Sequence, residues 1–374
     1  MKARRPFRAP RLDWILAAAA LALCGTGALL VWSATESRLL DSGDDPLTYL
    51  NRQLLNIAAG VAAMIVLTLT GHRTLRAYTP WAYLAACLAL AAVLTPLGRT
   101  VNGAQAWLGL GPLQVQPSEP AKLALVLALA AVLAERGDGE RRPTWRQVLP
   151  ALALAAPPGL LILLQPDMGT LLILGAVVLG ALFAAGVALR WPAALLVTAA
   201  AAGAAAWFLG LLQPHQVSRL IAFAEPGADP LGAGYTAKEA LVTVGSGGTF
   251  GRGLFNGDQT AGRFVPEQHT DFVFTVAGEE LGFLGSALIV ALLAVVFWRG
   301  LRIAGRADSH GSVTAAAVVC WLAVQTFVNV GMALGLAPVI GVPLPLVSYG
   351  GSATVATLAA IGVLQSIHRG TQRL

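Results

Sequence analysis

DWILAAAALALCGTGALLVWS, residues 13–33, carries no charged side chain after Asp13. At about 1.5 Å per residue, a helix over this stretch spans roughly 30 Å, the thickness of the hydrocarbon core of a bilayer. Lys2, Arg4, Arg5, Arg8 and Arg11 precede it. A basic leader before an apolar run also describes a signal peptide. No small-residue cleavage site leads here into a soluble domain, so the run is read as a first membrane helix and 1–12 as a basic cytoplasmic tail.

The rest of the chain agrees. Hydrophobic residues make up 56% and charged residues 12% of the 374 positions, against about 25% charged in soluble domains. A soluble globule of this length would lack a wet surface. Further apolar stretches fall near 54–71, 80–97, 118–135, 148–165, 169–189, 192–212, 271–298, 311–337 and 353–367. The expectation is an all-α integral membrane protein, a single polytopic domain over 1–374 with about ten transmembrane helices. Most of the 25 Lys and Arg fall in alternate segments that include both termini. The positive-inside rule then puts both termini in the cytoplasm. It also assigns the +6 charge to topology rather than to nucleic acid. On the outer side this leaves three ordered loops: 98–117, 338–352, and a long one, 213–270, between helices seven and eight. Cys24, Cys87 and Cys320 sit in apolar runs without a pattern, so neither a disulfide framework nor a metal site is read.

Ionisable groups at membrane level are functional candidates, and four places hold them. Asp271 stands where the long loop enters helix eight, in FVPEQHTDFVFTVAGEELGFLG (264–285). It is either a helix cap or a group at the mouth of a packed seam. At 100° per residue, Gly278, Gly282 and Gly285 fall within about 40° of it on a continuous helix. Glu280 falls about 180° round, and is expected to need a partner elsewhere in the bundle. Glu119 and Lys122, three apart, share a face of helix four; they form either a local ion pair or a polar cluster positioning an anionic group. Asp167 reads as a cap for the helix that follows. In the long loop, Arg219, Tyr235 and Lys238 precede GSGGTFGRG (245–253), whose glycines permit backbone amides to converge on an anion beside Arg252. The segment lacks a P-loop ending, and the chain contains no HExxH and no GxSxG.

As a set, QPSE-x-AKLA (116–124), QPDMGT (165–170), GSGGTFGRG, PEQHTDFVF (266–274) with GEELGFLG (278–285), and NVGMALGLAPV (329–339) with PLPLVSYGGS (343–352) resemble the SEDS (shape, elongation, division and sporulation) family. RLIAFAEPGADPLGAGY (219–235) resembles its cell-elongation branch. The resemblance implies a peptidoglycan glycosyltransferase that polymerises lipid II, a disaccharide-peptide on undecaprenyl pyrophosphate, at the outer face of the cytoplasmic membrane. It implies a class B penicillin-binding protein as partner. The family's essential aspartate falls on Asp271, and its helix-four pair on Glu119 and Lys122. Arg252, Arg219, Trp107, Ser348 and Tyr349 complete the expected substrate-binding set. No cofactor is expected beyond a divalent cation, whose site the sequence does not define. Ala106 and Ile340 stand where the family usually has Arg and Thr. The rival functions are a lipid II flippase, a scaffold for a transpeptidase, and the division-specific branch. The cytoplasmic halves of the spans are almost bare of charge, which favours chemistry at the outer face.

Overall fold

The computed structural model describes residues 12–101, 103–110, 113–135, 143–225, 227, 229 and 232–372. Most of the basic tail, Arg141, Arg142 and Asn102 lie outside the described residues. Seven described helices are long and apolar enough to cross a membrane: α1 (Trp14–Ser42), α2 (Thr48–Thr70), α5 (Trp145–Leu164), α7 (Arg190–Phe208), α12 (Gly282–Ala304), α13 (Ser309–Ala333) and α14 (Gly351–Thr371). The stretches expected at 80–97, 118–135 and 169–189 correspond to α3 (His72–Val93), α4 (Ser118–Leu133) and α6 (Met168–Ala184). With 16 and 17 residues, α4 and α6 are shorter than the roughly 20 that a bilayer takes.

The core is built on α13, which is buried over most of its length and packs against α4, α6, α12 and α14. α7 stands at the rim, with Pro192 as its buried residue, so nearly all of its apolar surface faces outward. Such surface on a membrane protein meets lipid. At one end of the bundle, Asp13 caps α1 and accepts from Arg299 Nε (2.8 Å) at the end of α12. Its backbone exchanges hydrogen bonds with the Gln365 side chain on α14 (2.9 and 2.8 Å). The start of α1 and the ends of α12 and α14 therefore lie on one side.

Two features depart from the sequence reading. The 98–117 stretch, expected as an ordered loop in an all-α chain, is a small antiparallel sheet of β1 (Gly98–Val101), β2 (Ala104–Leu110) and β3 (Leu113–Val115) in the order β1-β2-β3. Its signal is in the sequence: Asn102-Gly103 between short alternating runs is the strongest local hairpin cue, and Gly103 has φ +86°.

The second departure is a break in the expected helix 271–298. α11 (Val273–Glu280) ends at Leu281, and α12 begins at Gly282, whose φ is +67°. A Cβ at Gly282 would lie 2.2 Å from the Gly251 amide nitrogen. The break frees the carbonyls of Glu279 and Glu280, which accept from the Arg252 and Gly253 amides at 3.0 Å each. In return, Phe283 and Leu284 donate to Gly248 and Thr249 (2.9 and 3.1 Å). The glycine-rich segment is thus a splint across a helix break. The amides of Gly248, Gly251, Arg252 and Gly253 donate to protein carbonyls rather than being directed at an anion, and the small-residue stripe does not continue along one helix.

Candidate active site

Segments far apart in sequence converge on one cavity of about 650 Å³. α2 contributes Tyr49 and Arg52, β2 contributes Trp107, and α4 contributes Glu119 and Lys122. The remaining wall comes from Asp167 at the start of α6, Arg219 on α8 (Pro214–Ala224), the Glu267–Asp271 turn, and two stretches of the 338–352 loop around Gly341 and Tyr349. Of the residues expected from sequence, Asp271, Glu119, Lys122, Arg219, Trp107 and Tyr349 line this cavity, and Ser348 and Arg252 do not.

Lys122 is buried deep in α4, at 2% exposure. A lysine ammonium is tolerated there only with partners. It donates to Glu119 Oε1 (2.8 Å) and Gln325 Oε1 (3.3 Å), and lies 4.9 Å from the Trp321 ring centroid. Gln325 in turn accepts from Trp321 Nε1 (2.6 Å) and donates to the Pro343 carbonyl (2.8 Å). The pair is therefore part of a network that ties α4 to α13 and the 338–352 loop. Glu119 Oε2 is buried and has no hydrogen-bond partner among the described residues.

One helical turn further along α13, Asn329 Nδ2 donates to two carbonyls at 2.7 Å, those of Asp271 and Val342. This fixes the Asp271 backbone against the loop. The carboxylate itself accepts no hydrogen bond from the described residues, and α11 has no side-chain cap, so the capping role fails. Asp271 is half-buried and lines the cavity. Burial, and to a smaller extent the charge of Glu267, push its carboxyl up to about 7; Arg219 opposes the shift and Asp167 adds to it. A Cβ on Gly341 (φ +70°) would stand 3.2 Å from Asp271 Oδ2, so the glycine leaves this side of the carboxylate open.

The other candidates sort cleanly. Asp167 is the cap it was expected to be, accepting from the Thr170 amide (2.9 Å) and hydroxyl (2.7 Å); Gln116 donates to it as well (3.3 Å). Glu280 finds its partner in Ser33 on α1. Ser348 is buried; its hydroxyl accepts from the Leu344 amide (2.8 Å) and shapes the turn that presents Tyr349. Tyr349, Tyr49 and His269 form an aromatic corner with centroids 5.2–5.6 Å apart. Arg252 lies outside, ion-paired with Asp258, its Nε donating to the Ser246 carbonyl (3.2 Å). Arg52 is the cavity cation that sequence reasoning missed. Its signal is an arginine two residues before the apolar span at 54–71. Among the described residues no group of three or more His, Cys, Asp or Glu is placed to hold a metal ion.

A carboxyl near neutrality beside lysine and arginine is the pairing needed to deprotonate a hydroxyl while holding an anion. The cell cycle protein model for FtsW, RodA and SpoVE matches residues 13–373. The peptidoglycan glycosyltransferase MrdB of Escherichia coli K12 is 38% identical over 93% of this chain and 91% of its own length. A chain from a peptidoglycan synthase complex that coordinates polymerization and crosslinking superposes with a TM-score of 0.80 at 34% identity, covering 97% of this chain and 99% of that one. The rod shape-determining protein RodA of Thermus thermophilus superposes at 0.67 with 33% identity, over 96% and 97%.

Proposed function

This chain belongs to the FtsW/RodA/SpoVE family of cell cycle proteins, and from that membership we propose that it polymerises lipid II at the 650 Å³ cavity, with Asp271 as the general base. It is a multi-pass inner-membrane peptidoglycan glycosyltransferase acting in cell shape. The observation that carries the mechanism is a half-buried carboxyl that caps no helix and lines one cavity together with Arg52, Lys122 and Arg219.

The reaction forms one bond and breaks one. The 4-hydroxyl oxygen of the acceptor sugar bonds to the anomeric carbon of the donor as the bond from that carbon to the diphosphate oxygen breaks. The hydroxyl proton passes to Asp271, and the diphosphate leaves with the electron pair. A single displacement turns the α-linked donor into a β-linked product. Arg52, Arg219 and the Lys122–Glu119 network surround the space where negative charge develops, which is where preorganised positive charge lowers a barrier. The charged cavity lies at the end of the bundle assigned to the outer face by the positive-inside rule, with both termini cytoplasmic and the 213–270 segment outside. The related chain from a peptidoglycan synthase complex supports a class B penicillin-binding protein as the crosslinking partner.

The test is polymerisation of lipid II by the purified protein, with products resolved on a gel. A ladder of glycan strands from the wild type, lost in Asp271→Asn, is expected. Wild-type protein that leaves lipid II unchanged would overturn the reading.

A further inference from the structure

The cavity around Asp271 has a neighbour. A second cavity, of about 180 Å³, lies between α8, α9 (Ala233–Ser246) and the segment from Gly335 to Val339 that follows α13. Arg219 lines both cavities, and Lys238 lines the second. Arg219 is half-buried and Lys238 exposed, and neither forms an ion pair with a described carboxylate. The rest of the wall is apolar, with Phe223, Leu241 and Pro338 as its larger side chains. Two unpaired cations over an apolar floor match a diphosphate esterified to a hydrocarbon chain. The charges meet phosphoryl oxygens, where a guanidinium binds well, and the floor removes the first part of the chain from water.

The chemistry of polymerisation requires such a place. Two lipid-linked molecules react, so two lipid diphosphates are held at once. In the donor, the diphosphate is bonded to the carbon under attack and must lie beside Asp271. In the acceptor, the attacking hydroxyl is on the outer sugar, and the diphosphate is on the inner one. The acceptor's diphosphate therefore belongs outside the reaction cavity but next to it. Arg219 joins the two spaces.

We propose that the cavity between α8 and α9 binds the diphosphate and first isoprenoid units of the acceptor lipid through Arg219 and Lys238. This rests on the polymerase reading of the main cavity. It assigns the long outer segment a task in substrate binding that its glycine-rich part does not perform.

The experiment counts bound ligand. The purified full chain is titrated with farnesyl diphosphate, and bound equivalents are read by native mass spectrometry. Two equivalents are expected for the wild type, one for Lys238→Ala, and two again for Lys238→Arg, with all three proteins melting alike because the position is exposed. Excess inorganic pyrophosphate or phosphatidylglycerol should leave the second equivalent bound, since each lacks half of the match. In lipid II polymerisation, Lys238→Ala should raise KM about tenfold, the loss of one charge-assisted contact, with kcat little changed. A single equivalent on the wild type, two on Lys238→Ala, or displacement by either competitor would overturn the assignment. Two equivalents on a wild type that makes no polymer would instead count against the polymerase reading and leave the ligand class of this cavity standing.

Discussion

Replacing Asp271 by Asn separates the proposed chemistry from the architecture that surrounds it. The change is nearly isosteric, and the carboxylate accepts no hydrogen bond from the described residues, so little folding energy depends on its charge. The backbone hydrogen bonds of this residue, from Asn329 Nδ2 to its carbonyl and from its amide to the Glu267 carbonyl (3.0 Å), are untouched. What is lost is a base. General-base catalysis contributes roughly 10²–10⁴-fold in rate, equivalent to about 3–5 kcal/mol of transition-state stabilisation. The pH profile gives a second reading. Because burial lifts the carboxyl to about 7, the ionised fraction falls roughly tenfold for each pH unit below that value. Wild-type polymerisation should therefore rise about tenfold per unit up to neutrality and level off above it. The residual activity of Asp271→Asn should lack this inflection. The assay is initial-rate polymerisation of lipid II across pH, with Asp271→Asn protein shown to be folded and membrane-inserted. Wild-type rates from that variant, or a wild-type profile that inflects near 4, would refute the assignment of Asp271 as base.

Four further outcomes are expected. Lys122→Met should abolish polymerisation and also lower the melting temperature, because it leaves Glu119 buried without its cation at a cost of about 3–5 kcal/mol; Glu119→Gln combined with Lys122→Met should recover much of the fold and none of the activity. Normal polymerisation by Lys122→Met would reduce the pair to a local ion bridge. Gly282→Ala should fail to accumulate in membranes, since its φ of +67° and the 2.2 Å approach of the Gly251 amide leave no room for a methyl group; a wild-type level on immunoblots would refute the splint. Arg252→Ala should polymerise lipid II at close to the wild-type rate, since it removes an exposed ion pair worth about 0–1 kcal/mol and no cavity contact; a loss beyond tenfold would return Arg252 to the site. Affinity purification from native membranes should recover a class B penicillin-binding protein, and its consistent absence would count against the partnership.

The apolar spans and the clustering of basic loops were legible in the sequence because lipid imposes them locally: a helix in hydrocarbon must be apolar along about 20 residues, wherever its neighbours lie. The role of Asp167 was legible for a similar reason, since a cap reaches only three residues ahead to Thr170. The relevance of Asp271, Glu119 and Lys122 was visible from their positions and from family resemblance. The chemical state of Asp271 was not, because it depends on the closing of residues 340–343 and Arg219 around it. Only tertiary packing removed Arg252 from the site and brought in Arg52. The glycine-rich segment shows the limit most clearly. Free amides after a run of glycines read as an anion nest until the carbonyls of Glu279 and Glu280 arrive from a helix break some 30 residues later to accept them. A backbone donor carries no mark of its partner in the sequence, and long-range packing alone decides whether it is left for a ligand or taken by the protein.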